Sequence, residues 1–483
     1  MLNDLPRTLT VLLIAAVIGV AAGCTADTSH ERVAPAGEAQ SPAASAIAAN
    51  DCAPGPDATS DTTAVDLRML WGGAWDQDGA EDLLAEWSGT RPEVELTVDS
   101  VGTPVDAARA LLGSEPPTLA KVPADLVGLL AEAAVIAPLT ACNGFTAASS
   151  GAGDGDAEPL ARAADALGVR DEVRWAVPAG VQTALLLRDR ALLRRAGVDA
   201  DAAPGTLAAL REQASAVVLL GVTHPIAGFD PTAATLAEGI GDRPSATVEQ
   251  YVGLGADGLV QPAGAPSAAP GAGEDAAGSD RLPVGSGDAA FAVVNPSQLW
   301  GYAEALAQGQ APAADLAVSA LPAGFGPVRP VLGDVWVLSA SATPGQSSAA
   351  AQLLEWLGRP EQQAALLPLT DLFPTSAAAA NEPVLEAYWQ RLPLLQDAFR
   401  VLVTDPHTVP DSLLGPGTPP SVTHRLGEAA FDGRPLVAAW RDLYIDLSVM
   451  ATPAEPEDAA TTLRCLTEPG DGRVSIADCD PNL

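Results

Sequence analysis

Residues 66–98 read DLRMLWGGAWDQDGAEDLLAEWSGTRPEVELTV. Loose alternation from Asp66 to Trp71, stopped by Gly72-Gly73, predicts a strand. Leu83, Leu84 and Trp87 fall on one face of a helix beginning near Asp78. Pro92 punctuates, and then Val94, Leu96 and Val98 alternate with Glu93, Glu95 and Thr97, the period-two pattern of a half-buried strand. The three pieces make a β-α-β unit. A second unit follows: a strand over 118–122, a helix over 124–134 carrying Leu126, Leu129 and Leu130, and an extended stretch over 135–139. Strands alternating with helices predict α/β layers around a mostly parallel sheet.

Upstream of this unit the chain has a different character. Residues 11–22 (VLLIAAVIGVAA) are uncharged and follow Arg7, whose charge Asp4 offsets. A membrane-spanning helix needs about 20 apolar residues, so this run has the length of a signal-peptide core instead. Ala21-Ala22-Gly23-Cys24 resembles the bacterial lipobox, which implies cleavage before Cys24 and acylation of its thiol. Residues 1–23 are therefore expected to be a lipoprotein signal peptide, and the mature protein to be lipid-anchored on the outer, extracytoplasmic face of the cell membrane. Residues 24–65, rich in Ala, Pro, Ser and Thr without apolar periodicity, are expected to form a disordered tether. Roughly 420 residues remain, enough for two lobes with a core each.

Composition limits the partners. The formal net charge is −36, from 61 acidic and 25 basic residues, and Lys121 is the only lysine. Such a field repels nucleic acid and anionic membrane surfaces. Carboxylates this numerous and diffuse identify no catalytic pair. There is no GxSxG, no HExxH and no Cys-His pairing, so neither an enzyme nor a cofactor is expected. The four histidines are scattered and no CxxC is present, so no metal site is expected either. Four cysteines remain beside Cys24, and an oxidising compartment suggests disulfides with three possible connectivities. Proximity favours Cys465 with Cys479, leaving Cys52 with Cys142; buried free thiols are the alternative.

A resemblance emerges when the blocks are read in order. Trp71-Gly72-Gly73, Leu84-Ala85-Glu86-Trp87 and residues 92–96 resemble the start of a family 1 extracellular solute-binding protein. Residues 117–121 and 129–139 are similar to the family's next block. Residues 175–180 and 185–193 resemble its crossover into a second lobe. Arg194-Arg195-Ala196-Gly197-Val198 is close to the family's KKAGL pattern, with Arg in place of Lys. Residues 287–295 look like its GKAAM strand, and 321–322 with 333–339 like the return to the first lobe. Residues 349–357, 359–363 and 373–375 complete the order. Each block is short; their co-linearity from 66 to 375 carries the resemblance.

The resemblance implies a two-lobed, periplasmic-binding-protein-like (type II) α/β fold with a hinge and an interlobe cleft. Lobe 1 is expected over 66–176 plus 323–369 and lobe 2 over 177–322 plus 370–450. Residues 261–280 are expected to be a disordered insertion, 143–156 a long loop, and 451–483 a C-terminal extension holding Cys465 and Cys479. It also implies a monomer that captures a small solute for the permease subunits of an ABC importer. Ligand bridging both lobes would drive their closure.

Loops at the carboxyl ends of parallel strands face such a cleft. A sugar pocket pairs aromatic plates with carboxylate and amide hydrogen-bonders. Nine Trp against seven Phe and four Tyr make the tryptophans the natural plates. The candidate ligand residues are Trp71, Trp75, Asp76, Gln77, Gln182, Thr183, Phe229, Asp230, Asn295, Trp300, Asp334 and Trp336. Lys121 reads as a surface lysine at a strand end, within reach of the cleft. Trp87, Trp356, Trp389 and Trp440 lie at helical spacing among Leu and Ala and read as core. A neutral carbohydrate or polyol is the expected ligand, with a polyamine as the alternative. A ligand-sensing or scaffolding lipoprotein on the same fold is the alternative role.

Overall fold

The opening pattern folds as read. β1 (Val65–Gly72) and β2 (Val94–Val101) pair in parallel, Val65 opposite Val94, with the helix Gln77–Gly89 as their crossover. β3 (Leu119–Pro123) pairs in parallel on the other side of β1. The helical stretch expected after β3 divides into a 3₁₀ turn, Ala124–Leu126, and the helix Val127–Glu132. In this computed structural model the described residues are 64–73, 77–139, 159–170, 172–228, 243–261, 283–309, 315–322, 329–330, 332–370, 372–404, 407–408, 418–450, 459–461 and 463–464. All belong to the unit Ser41–Leu483.

A short hairpin, β4 (Val169–Arg170) and β5 (Val173–Arg174), leads into β6 (Ala176–Gln182). Two residues later β7 (Leu185–Asp189) opens a second sheet, completed by β8 (Ile226–Ala227), β9 (Phe291–Val294) and β10 (Leu316–Ser319). β11 (Arg329–Pro330) pairs with β13 (His407–Thr408), and between them in sequence β12 (Leu332–Leu338) returns to the first sheet. The strand orders are β2-β1-β3-β12-β6 and β10-β7-β9-β8.

Neither sheet is mostly parallel, and the expectation is corrected here. β12 runs antiparallel to both β3 and β6, and β7 antiparallel to β9 and β10. Helix-strand alternation enforces parallel pairing only inside a β-α-β unit. β12 arrives from the other sheet, so its direction is set by its entry point.

Apolar residues pack on both faces of the first sheet. Leu67, Met69, Trp71, Leu119, Trp336 and Leu338 face the helices Gln77–Gly89 and Pro344–Leu357. Ala120, Val122, Val335 and Val337 face the opposite way, into a cluster that continues through Leu185, Leu187, Ala292 and Val294 of the second sheet. A third cluster joins the second sheet to the helices Leu207–Val218, Ala246–Ala256, Thr418–Phe431 and Leu436–Met450. Trp87, Trp356, Trp389 and Trp440 are all buried in these clusters.

The passage between sheets is tied by backbone. Val181 and Phe373 exchange two hydrogen bonds, 2.9 and 3.0 Å, where β6 ends. The Phe373 ring lies 5.0 Å from Trp300 and 5.6 Å from Phe399.

Candidate functional site

Strand alternation places Trp71, Lys121, Asp334 and Trp336 on the same face of the first sheet. Lys121 stands opposite Trp336, and Trp71 lies one position beyond the Leu70–Ala120 pair. Three neighbouring strands thus present a Trp-Lys-Trp row, with Trp71 next to last in β1, Lys121 at the middle of β3 and Trp336 past the middle of β12. The two indoles meet edge to face, centroids 5.0 Å apart at 71°. The Lys121 ammonium is 5.0 Å from the Trp71 ring centroid and 3.1 Å from Asp334 Oδ2.

The surface reading of Lys121 is corrected by this arrangement: the residue is 1% exposed. Desolvating an ammonium is costly, and it is tolerated here because a carboxylate and an aromatic face meet it. Trp71 and Trp336 are each 2% exposed. As placed, both indoles pack in the core beneath the strand ends.

Asp125, in the 3₁₀ turn after β3, adds a second carboxyl. Burial is the main force raising its pKa from 3.8 to about 6; backbone hydrogen bonding and Arg170 oppose the rise, and the Asp334 charge adds to it. A carboxyl whose folded pKa is raised prefers its proton in the folded state. The resulting penalty builds as pH climbs from 3.8 toward 6 and is constant above that. Asp125→Asn is therefore expected to unfold at higher denaturant than wild type at pH 7.5, by on the order of 2–3 kcal/mol, with the gap closing near pH 4. Urea melts at the two pH values check it, and equal stability at pH 7.5 would count against the placement of Asp125.

The remaining predicted residues are distributed as follows. Gln182 ends β6 beside Leu332 of β12, and Thr183 follows it, buried. Asn295 caps the helix Pro296–Ala307: its Oδ1 accepts from Gln298 N at 2.9 Å, and Gln298 Oε1 accepts from Asn295 N at 3.0 Å. Trp300, on that helix, donates through Nε1 to Tyr388 Oη at 2.8 Å. Burial pushes the Tyr388 hydroxyl up to about 12, with the Trp300 bond opposing it. Trp75, Asp76, Phe229 and Asp230 lie outside the described residues, as does the side chain of Gln77. So do Cys24, Cys52, Cys142, Cys465 and Cys479, together with almost all of the 261–280 insertion and the 143–156 loop.

The structure therefore brings Trp71, Asp334 and Trp336 together with Lys121, and sets Gln182 one strand away. Asn295 and Trp300 stand on the far side of the crossing at Thr183–Ala184. Sequence reasoning missed Asp125 and the buried state of Lys121. The available signal was a single lysine inside the apolar run Leu119-Ala120-Lys121-Val122. A separate groove of about 620 Å³, lined by Glu382, Glu386, Trp389 and Gln390 among others, includes none of the predicted residues. Among the described residues no group of three or more His, Cys, Asp or Glu could hold a metal ion. No described helix is long and apolar enough to cross a membrane.

A family model described as bacterial extracellular solute-binding protein matches residues 37–393. No curated protein matches the chain. Solved structures do. The chain resembles the cyclic α-maltosyl-1,6-maltose binding protein of Arthrobacter globiformis at 16% identity and TM-score 0.60, over 84% of this chain and 100% of that one. It resembles UgpB of Mycobacterium tuberculosis, solved with glycerophosphocholine, at 17% identity and TM-score 0.60, over 80% and 98%. The sugar-binding protein MalE of Xanthomonas citri matches at 15% identity and TM-score 0.59, over 84% and 100%. These likenesses show the two-lobed α/β fold.

Proposed function

The chain belongs to the bacterial extracellular solute-binding proteins, and from that premise we propose that it captures a neutral carbohydrate or polyol and delivers it to an ABC importer. A protein of this family binds rather than transforms its solute, so it is not an enzyme. The observation that carries the reading is the architecture: two sheets joined by a two-residue crossing from β6 to β7, with the segment carrying Trp75 and Asp76 leaving from the carboxyl end of β1. The sugar named for one solved relative, cyclic α-maltosyl-1,6-maltose, suits such a pairing of an aromatic plate with a hydroxyl partner.

In this reading Trp75 stacks on the sugar and Asp76 accepts from its hydroxyls, in the segment between β1 and the helix Gln77–Gly89. Trp75→Ala should weaken solute binding by about 1–3 kcal/mol with little loss of stability. Calorimetry over maltose, maltotriose, glycerol, glycerophosphocholine and spermidine tests the ligand class. Heat from a sugar supports the proposal. Heat from spermidine alone would move the reading to the polyamine, which the charge of −36 favours. A chain that binds a sugar and supports no uptake would be a sensor or scaffold.

We place the mature protein on the outer face of the membrane, held by acyl chains on Cys24 and a tether that ends before β1 begins at Val65, and acting as a monomer. Two or more chains on one cysteine supply the double signal that stable anchoring needs. Cys24→Ser should abolish acylation and leave the precursor uncleaved or released. Mass spectrometry of the N-terminal peptide decides it, and an acylated, membrane-bound variant would overturn the assignment.

A further inference from the structure

We propose that Lys121 is a positioning residue of the solute site, acting through Asp334 to fix the entry end of β12. The inference rests on the reading that the cleft lies at the strand ends of the first sheet. Asp334 is the third residue of β12, where the chain comes back from the second sheet, and the register shifts between Asp334 and Val335. Its backbone stands between Pro123 of β3 and Gly180 of β6. Two residues further along β6, Val181-Gln182 begin the outward crossing. Departure and return of the chain therefore meet at this one residue.

A bulge interrupts the ladder of hydrogen bonds and frees the strand to bend. Here the interrupted ladder is the one with β6, whereas β12 pairs with β3 without a break from Leu338 to Asp334, and a side-chain tie to β3 holds the entry end of β12 from that intact side. Lys121 makes that tie as an ion pair, with Nζ 3.1 Å from Asp334 Oδ2 and no acceptor among the described residues in hydrogen-bond geometry. The ammonium sits over the Trp71 ring and points toward Gly73, 3.8 Å from where a Cβ would stand there. One cation thus touches the ends of β1 and β12 from β3. The segment carrying Trp75 and Asp76 leaves from that same end of β1. At 1% exposure Lys121 is beyond direct reach of solute, so its effect is exerted through the groups it holds.

Hydrogen exchange on the whole mature protein tests the tie without any solute. Lys121→Met should speed exchange over 332–338 and 119–123 by about tenfold or more, leaving 207–218 in the second sheet's helix at the wild-type rate. A residue needed only for global stability would instead speed all segments together. Should the single variant not fold, Lys121→Met/Asp334→Asn removes both charges and folds with the same local loosening. Unchanged exchange over 332–338 in the variant that folds overturns the proposal. The calorimetric panel forms the second arm: a solute bound by wild type should lose about tenfold or more in affinity in the folded variant, and wild-type affinity there overturns the positioning role. If nothing on the panel binds wild type, the carbohydrate reading fails, while the exchange result still decides whether Lys121 pins β12.

Discussion

Trp87→Ala should lower the unfolding free energy by about 3–5 kcal/mol while leaving solute affinity nearly unchanged. Trp87 is 1% exposed, near the end of the helix Gln77–Gly89, and packs with Leu84 against Leu67, Met69 and Trp356. Its indole is covered from outside by the Arg91 guanidinium, 4.7 Å from the ring centroid. Truncation would leave a void that the sheet on one side and the helix Pro344–Leu357 on the other are too rigid to close. The cavity adds to the lost transfer energy. Urea denaturation measures the loss. A cost under about 1 kcal/mol would mean that the helix collapses into the gap and that this face of the sheet is loosely packed.

Gly333→Ala should cost about 3 kcal/mol or more, because it overpacks a contact between backbones. A Cβ at Gly333 would stand 2.2 Å from the Gly180 carbonyl oxygen, with the Gly180 carbonyl carbon and Val181 Cα at 3.2 Å. None of these atoms belongs to a flexible side chain, so relief requires β6 and β12 to separate where the chain passes between sheets. Solute affinity should fall as well, since the strands that separate are those leading to the crossing. Gly427 is the control. It lies in the helix Thr418–Phe431 with nothing within 4 Å of its Cβ position. Gly427→Ala should stabilise by roughly 0.5–1 kcal/mol through helix propensity. Thermal melts of the pair, side by side, show whether the two glycines differ as described; equal effects would contradict it.

How far the sequence spoke depended on the range of the interactions. The β1–helix–β2 unit was legible because each piece carries its own period within about a dozen residues. The buried state of Trp87, Trp356, Trp389 and Trp440 was legible for the same reason: their neighbours at helical spacing are apolar. The direction of β12 was not. Val335 and Val337 pack on one face and Trp336 and Leu338 on the other whichever way the strand runs, and its direction follows from where the chain re-enters. Lys121 was misread because a lysine at a strand end usually reaches water. Its partner Asp334 is more than 200 residues away in sequence, beyond any local pattern. Trp300 and Asn295 were picked as site residues by position alone. The structure shows what that choice could not weigh: one is bonded to Tyr388 and the other caps a helix.

Small-angle X-ray scattering of the wild-type protein, with and without a saturating sugar that gives heat in the calorimeter, tests the central claim most directly. A two-lobed binder that closes on its solute should contract, its radius of gyration falling on saturation while Lys121→Met responds less at equal occupancy. A protein that binds no sugar on the panel, or binds one with an unchanged scattering curve, would contradict the account of capture by closure of the two lobes.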